Sequence, residues 1–324
     1  MSNAIRMSEF GGPHVLRMEQ VAVGEPDRHQ VRITHAAIGL NMVDTYYRSG
    51  LYPLELPSGL GSEASGVVVS AGADVQGLTP GVRIAYASPA PLDAYAEERL
   101  IDAKWLVGLP KAIDDETAAA MMLKGLTSWY LLTRSYHVQT GDWLLLYAAA
   151  GGVGQIASQW ASGLGARVIG VVGTAAKRSS ALAHGCEEVL LADDDIVGGV
   201  RELTGGEGVA VVYDSIGRET FYQSLDCLRP HGVMVSFGNA SGAVEPFALL
   251  ELTRRGSLYV TRPTLFDFIG VRADLEAGFK ALIDVVSSGE VKIEIHQRYE
   301  LAEAAQAHRD LQARKTTASS ILVP

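Results

Sequence analysis

Cysteine is scarce: Cys186 and Cys227 are the only two in 324 residues. That is too few for a disulfide framework or for the thiolates of a structural zinc site, and it predicts a chain at home in a reducing cytoplasm. Also lacking are an apolar signal core at Met1–Arg6 and any run of the roughly 18 to 20 apolar residues that crosses a bilayer, so neither export nor a membrane partner is expected. Basic residues, 27 against 37 acidic ones, leave a formal net charge of −10 and stand singly rather than in a stripe. A chain of that kind has no footprint for a phosphate backbone, which excludes nucleic acid as an expected partner. The eight histidines, at 14, 29, 35, 137, 184, 231, 296 and 308, form no His-x-x-x-His or Cys–His spacing and read as packing or surface residues. Repeats and low-complexity stretches are absent.

What is present is the make-up of a packed globular protein, 48% hydrophobic and 20% charged. The length exceeds what one hydrophobic core usually supports, predicting two domains with a cleft between them. Up to about residue 110 the pattern is short β-rich runs broken by turns: Gln30–Ile38, Gly66–Ser70, Arg83–Ala87 and Leu106–Leu109. That predicts a β-rich, partly barrel-like lobe. A helix is expected over Asp114–Ser135 from the spacing of Ala118, Met121, Met122, Trp129 and Leu132. Beyond it, apolar runs alternate with helical stretches. The runs are Trp143–Tyr147, Arg167–Val172, Glu188–Leu191, Val209–Asp214, Gly232–Phe237 and Ser257–Thr261; the helices span 152–164, 175–184, 196–203 and 219–228. Doubly apolar strands alternating with helices predict an α/β, doubly wound parallel sheet, the Rossmann arrangement. A helix from Ala273, a strand Lys292–Gln297, a helix Leu301–Leu311 and a run Ser320–Val323 are expected to complete the first lobe. The domains are thus drawn at 1–123 with 268–324, and at 124–267.

The most informative local feature is Leu144-Leu145-Leu146-Tyr147 feeding into Ala148-Ala149-Ala150-Gly151-Gly152-Val153-Gly154 at a helix start. Against G-x-G-x-x-G, Ala149 takes the first position, Gly151 the second and Gly154 the third. A small Ala149 permits the tight turn, Gly151 lets a pyrophosphate approach, and Gly154 allows close helix–strand packing. The helix then presents its N–H groups and positive dipole end to the phosphates. A plain strand–helix turn carries the same glycines, but here the complete strand–turn–helix–strand unit is present. The strand Arg167–Val172 ends at Gly173-Thr174 with no acid to grip a ribose 2′-OH. Lys177 and Arg178 follow, and cations there neutralise a 2′-phosphate, which favours NADPH over NADH.

Several longer stretches carry a family resemblance: Ala37–Tyr46, Arg48–Pro53, Leu60–Gly66, Leu123–Thr127, Ala148–Gly154, Val212–Ser215, Val235–Gly242 and Leu258–Pro263. With these in order over the whole chain, the protein resembles the quinone oxidoreductases, the zeta-crystallin-like, zinc-lacking branch of the medium-chain dehydrogenase/reductase superfamily. The resemblance implies a GroES-like catalytic domain beside the Rossmann domain, and a set of cofactor contacts. Asn41 and Tyr46 would line the nicotinamide end, with Lys124 and Tyr130 nearby. Gly152 and Val153 would meet the pyrophosphate, and Gly173, Thr174 and Lys177 the adenosine ribose and its phosphate. Ser215 would lie by the adenosine half, Phe237, Gly238, Asn239, Ala240 and Ser241 along the nicotinamide, and Arg314 would reach in from the C-terminal segment. Relatives often carry a tyrosine where this chain has Leu191-Ala192, removing one possible phosphate contact.

Zinc-dependent alcohol dehydrogenases of that superfamily use a cysteine and a Gly-His-Glu motif; here Asn41 or its neighbours replace the thiolate, and in Gly61-Ser62-Glu63 a serine replaces the histidine. No metal site is expected. Without a metal to polarise a carbonyl, the acceptor should take a hydride easily, as a quinone does, oriented by the catalytic candidates Asn41, Tyr46 and Tyr52. An NADPH-dependent reductase of conjugated enones or enals is the competing enzyme reading, and a crystallin-like NADPH-binding protein the non-enzymatic one. The run Ser257–Thr261 is expected to serve as the edge of a homodimer.

Overall fold

β-branched runs set off by glycine and proline become the strands of the first third of the chain, in a computed structural model describing residues 1–324. β1 (Ser2–Arg6) and β2 (Arg17–Val21) pair antiparallel. β3 (Gln30–Leu40), β4 (Glu63–Ala71), β5 (Arg83–Ala87) and β7 (Leu106–Gly108) neighbour one another in that order, and β6 (Glu98–Asp102) pairs with β3. Between β3 and β4 lies α1 (Met42–Ser49), a helix absent from the periodicity-based expectation. Its signal was a capping pattern: Asn41-Met42-Val43-Asp44 places the Asp44 carboxylate where it accepts from the Asn41 backbone N–H at 2.9 Å. β1, β2 and β6 were likewise not anticipated; β2 is largely exposed, so no apolar alternation marks it.

α2 (Asp115–Tyr130) begins where Asp114 accepts from Thr117 N and Oγ1, both at 2.8 Å, a cap worth about 1 kcal/mol. The expected helix to Ser135 stops being regular at Tyr130; Leu131–Ser135 form one wider turn. The Leu131 carbonyl there accepts from the buried Tyr213 hydroxyl at 2.9 Å.

Six parallel strands then build one sheet: β8 (Trp143–Tyr147), β9 (Arg167–Val172), β10 (Glu188–Leu191), β11 (Val209–Asp214), β12 (Leu228–Ser236) and β13 (Tyr259–Thr261), in the order β10-β9-β8-β11-β12-β13. Reversal of direction at β8, between β9 and β11, is the doubly wound pattern, and it places the carboxyl end of β8 at the switch point. The helices are α3 (Gly152–Gly163), α4 (Arg178–Ala183), α5 (Ile196–Leu203), α6 (Phe221–Asp226), α7 (Leu250–Arg254) and α8 (Leu265–Ile269). β12 starts four residues before its expected Gly232, because pairing at Val209–Leu228 resumes at Val211–Val233 across a slip that absorbs Pro230 and its neighbours. Leu145, Ile169, Val212, Leu225 and Met234 pack the core of this sheet, each such side chain contributing about 1.5–3 kcal/mol.

The tail adds α9 (Arg272–Ser287), α10 (Ala304–Gln312), β14 (Ile295–Glu300) and β15 (Ser319–Val323). β15 pairs antiparallel with β3, and β14 pairs parallel with β15, closing the first sheet over Val31, Ile33, Ile38, Ile84, Tyr86 and Leu322. The strand expected at Lys292–Gln297 therefore lies three residues later. Contacts gather the chain into unit 1 (Met1–Leu126, Ile269–Lys280, Ile293–Pro324) and unit 2 (Thr127–Phe268, Ala281–Lys292). Within the tail drawn at 268–324, Ala281–Lys292 group with the second unit. No helix is long and apolar enough to cross a membrane.

Candidate functional site

In unit 1 the candidate residues assemble on a carboxylate, Glu63, that stands in the sequence only as the last residue of Gly61-Ser62-Glu63. Glu63 opens β4 and is wholly buried. Its Oε1 accepts from Asn41 Nδ2 at 2.7 Å and from Lys124 Nζ at 2.6 Å, and Oε2 accepts from Leu123 N at 2.6 Å. β3 makes room for it: a Cβ on Gly39 would stand 2.1 Å from Glu63 Oε1. A buried carboxylate survives only when paired and hydrogen-bonded, and here one ammonium and two N–H groups do this. Asn41 and Lys124 are thus brought together at 63, one at the head of α1 and one inside α2.

Tyr46, buried in α1, packs its ring 5.3 Å from that of Tyr52 at 64°. Tyr52 also meets Tyr47 edge-on at 5.5 Å, so the aromatic cluster orients both catalytic candidates. Asp44 lies beneath, buried, with Oδ2 accepting from Asn41 N and from Tyr95 Oη at 2.9 Å each. Burial raises its carboxyl to about 7. Arg314 is exposed in the C-terminal segment, with φ 57°.

Unit 2 carries the phosphate turn. The left-handed residue is Ala148, φ 54°, rather than Ala149, because Ala149 N still bonds Val171 O at 3.1 Å and continues the β8–β9 ladder. Ala149 is small for a different reason: a Cβ on Gly170 of β9 would come within 2.9 Å of its methyl. Gly154 behaves as the spacing implies, since a Cβ there would lie 2.3 Å from Ala148 O and 2.5 Å from Ala149 O. Gly151, Gly152 and Val153 are half-buried at the head of α3, and no side chain caps that end. The first-turn amides of a helix have no acceptor within it, so this end suits an anion.

Gly173 and Thr174 follow β9 and are exposed; a Cβ on Gly173 would meet nothing within 4 Å. Lys177 is half-buried in the short turn after them. Its neighbour Arg178, offered as a second phosphate cation, instead donates Nη2 to Val189 O on β10 at 2.6 Å. Tyr130 is buried and stacked on Phe268, centroids 4.6 Å apart and planes 2° from parallel.

The loops after β11 and β12 are joined residue by residue. Ala240 N donates to Ser215 O at 3.2 Å, Ser241 N to Ile216 O at 2.8 Å, and Ser241 Oγ accepts from Glu219 N at 3.0 Å. Phe237 N donates to Asp214 O at 2.8 Å, and Gly238 has its Cα where a Cβ would fall 2.5 Å from Ser215 O. Beneath them Asp214, wholly buried, accepts from Ile216 N, Gly217 N, Thr220 Oγ1 and Ser224 Oγ at 2.7 to 3.0 Å. Ser215, Phe237, Gly238, Asn239, Ala240 and Ser241 therefore share one platform. Asp214, the residue that organises it, was quoted in sequence but given no role.

The comparisons with known proteins are of a piece with this. Residues 152–288 match the family model described as zinc-binding dehydrogenase, and residues 27–111 that of the alcohol dehydrogenase GroES-like domain. The chain is 47% identical to the quinone oxidoreductase of Pseudomonas aeruginosa over 100% of both chains. It is 44% identical to a 2-haloacrylate reductase from Burkholderia over 97% of this chain and 96% of that one. The crystal structure of Escherichia coli quinone oxidoreductase complexed with NADPH superposes with a TM-score of 0.97 at 46% identity, over 99% of this chain and 100% of that one. The zinc in the first family description does not fit the residues present: Lys124 and Asn41 occupy Glu63, and no three His, Cys, Asp or Glu side chains gather anywhere to hold a metal.

Proposed function

Because this chain belongs to the quinone oxidoreductase family of the medium-chain dehydrogenases and reductases, we propose that it reduces quinones at the expense of NADPH and does so without zinc. It is an NADPH-dependent oxidoreductase. The observation carrying the finer reading is the state of Glu63, saturated by Lys124, Asn41 and Leu123 N. A centre so filled offers no Lewis acid, and a quinone needs none, because its conjugated ring spreads the incoming charge.

NADPH supplies a hydride when bound. The amides of Gly151, Gly152 and Val153 would hold the pyrophosphate, and Lys177 with Gly173 and Thr174 would take the 2′-phosphate. Ser215, Phe237, Gly238, Asn239, Ala240 and Ser241 would support the cofactor, with Tyr130, Lys124 and Arg314 as further contacts. Asn41, Tyr46 and Tyr52 orient the acceptor; one proton from solvent completes the hydroquinone. Pairing of two copies along β13, whose Tyr259 is 62% exposed at the sheet edge, belongs to the same proposal.

The test is NADPH consumption by the purified protein with 1,4-benzoquinone and with a simple conjugated enone, before and after exhaustive chelation, alongside its molar mass in solution. Quinone-dependent turnover that chelation leaves intact is expected. Turnover with the enone alone overturns the quinone reading and supports the second one, reduction of an activated C=C bond, which the 44% identity to a 2-haloacrylate reductase favours.

A further inference from the structure

Buried side chains of unit 1 that take no part above form a line of hydrogen bonds ending beneath Asn41. Arg48, 1% exposed, donates Nη1 to His308 Nδ1 at 2.9 Å, Nε to Gly11 O at 3.0 Å and Nη2 to Gln312 Oε1 at 2.9 Å. A guanidinium can only donate, so His308 Nδ1 accepts. Burial holds this imidazole down at about 3, so the ring is neutral and its one proton sits on Nε2. Nε2 faces Tyr95 Oη at 3.1 Å, which leaves the phenol proton to be donated to Asp44 Oδ2 at 2.9 Å. The same oxygen accepts from Asn41 N. The bonds from Arg48 through His308 and Tyr95 all point toward Asp44, while its Oδ1 is buried with no partner. A carboxylate bonded on one oxygen only, at the end of a directed line, is not explained by helix capping, for which the Asn41 N–H alone suffices.

We propose that Asp44 is a positioning residue, held by Tyr95, His308 and Arg48, whose charge state sets how firmly the Asn41 backbone, and with it the Asn41 carboxamide on Glu63, is fixed for the acceptor. The inference rests on the reading that Asn41 orients the acceptor. The groups facing Asp44 are Tyr95 and the Asn41 N–H in direct contact, Glu63 from β4 and Lys124 from α2, with Arg48 and His308 behind Tyr95. Burial outweighs the lowering by Asn41 N, Tyr95 and Lys124, and Glu63 adds to it, so the carboxyl titrates near 7. Above that pH the carboxylate receives charge-assisted bonds and Asn41 is firmly held; below it the bonds are those of a neutral acid.

Two measurements test this. The first is the pH profile of kcat/KM for the acceptor at saturating NADPH, for the unmodified protein, Asp44→Asn and Tyr95→Phe. The second, with no acceptor present, follows the Asn41 amide resonances by NMR in protein labelled at asparagine. In the unmodified protein kcat/KM should rise about fivefold through an inflection near neutrality, the gap between a charged and a neutral hydrogen bond. Asp44→Asn should be flat at the low-pH level, and Tyr95→Phe, lacking a bond that favours the carboxylate, should move the inflection to higher pH. The Asn41 resonances should titrate in step and cease to do so in Asp44→Asn. A flat profile with turnover present, an inflection unmoved by Tyr95→Phe, or Asn41 resonances that do not titrate overturns the proposal. If Asp44→Asn fails to fold, Tyr95→Phe and the resonances decide. Titrating resonances without quinone turnover support the positioning role while overturning the quinone reading.

Discussion

Glu63 in unit 1 and Asp214 in unit 2 are both completely enclosed carboxylates, and the two are satisfied in opposite ways. Glu63 in unit 1 is met by a cation, Lys124, together with a carboxamide and a backbone amide. Asp214 in unit 2 is met by four neutral donors, two backbone amides and two hydroxyls, all within ten residues of it. The first arrangement ties together three distant pieces of chain, β3–α1, β4 and α2. The second folds one loop onto itself and presents its rim. A buried charge can thus serve as a long-range clasp or as a local template, and the donor type shows which.

The same isosteric change separates the two. Glu63→Gln strips the buried Lys124 ammonium of its carboxylate and should cost about 3–5 kcal/mol of stability, whereas Asp214→Asn strands no cation and should cost about 1–2 kcal/mol; denaturant unfolding of the two variants reads the difference. If the clasp interpretation holds, adding Lys124→Met to Glu63→Gln restores part of the loss, because the stranded charge is gone.

Acid sensitivity sharpens the contrast further. Unit 1 holds His35 and His308, both pushed down to about 3 by burial, and Asp44, raised to about 7 by burial. Unfolded histidine binds its proton below about 6.5, so each histidine makes stability rise with pH between about 3 and 6.5. Unfolded Asp44 releases its proton near 3.9 while the folded carboxyl keeps it to about 7, so it makes stability fall with pH across that window. Two rising contributions against one falling leave a net gain on the order of 1 kcal/mol per pH unit between about 4 and 6.5. Equilibrium unfolding at several pH values measures it, and His35→Gln should flatten the slope to near zero.

The smallest effect concerns only the cofactor. Lys177→Ala should raise the KM for NADPH about tenfold, the worth of one charge-assisted contact of about 1.4 kcal/mol, and leave that for NADH unchanged. Equal loss for both cofactors would remove Lys177 from the 2′-phosphate.

The sequence made unit 2 legible to the residue at β8, β9, β10, β11 and α5; β8, β9 and β11 are buried along nearly their whole length and so are near-continuous apolar runs, with a glycine next to β9 and β11. It was less legible where the periodicity belongs to neither pattern. α1 exposes and buries residues through polar contacts, with Asp44, Thr45 and Arg48 among its buried members, so no apolar stripe announced it. Of the candidate site, the phosphate turn could be read because its chemistry is backbone geometry written in small residues. The role of Glu63 could not, since its partners lie elsewhere in the chain: Asn41 and Lys124 stand 22 and 61 positions from it. The bond from Arg178 Nη2 to the Val189 carbonyl, 11 residues on in another strand, was equally invisible in the sequence.

The close fit of Gly39 against Glu63 has a practical meaning for protein engineers. A retrofit of this scaffold with a catalytic metal would begin by restoring the thiolate and imidazole ligands at positions 41 and 62. Those two substitutions would not suffice, because the Lys124 ammonium already sits on Glu63 and the bare α-carbon of Gly39 leaves the carboxylate no room to swing toward β3. Conversion would need Lys124 removed in the same step, making positions 39, 41, 62, 63 and 124 a set to be redesigned together or left alone.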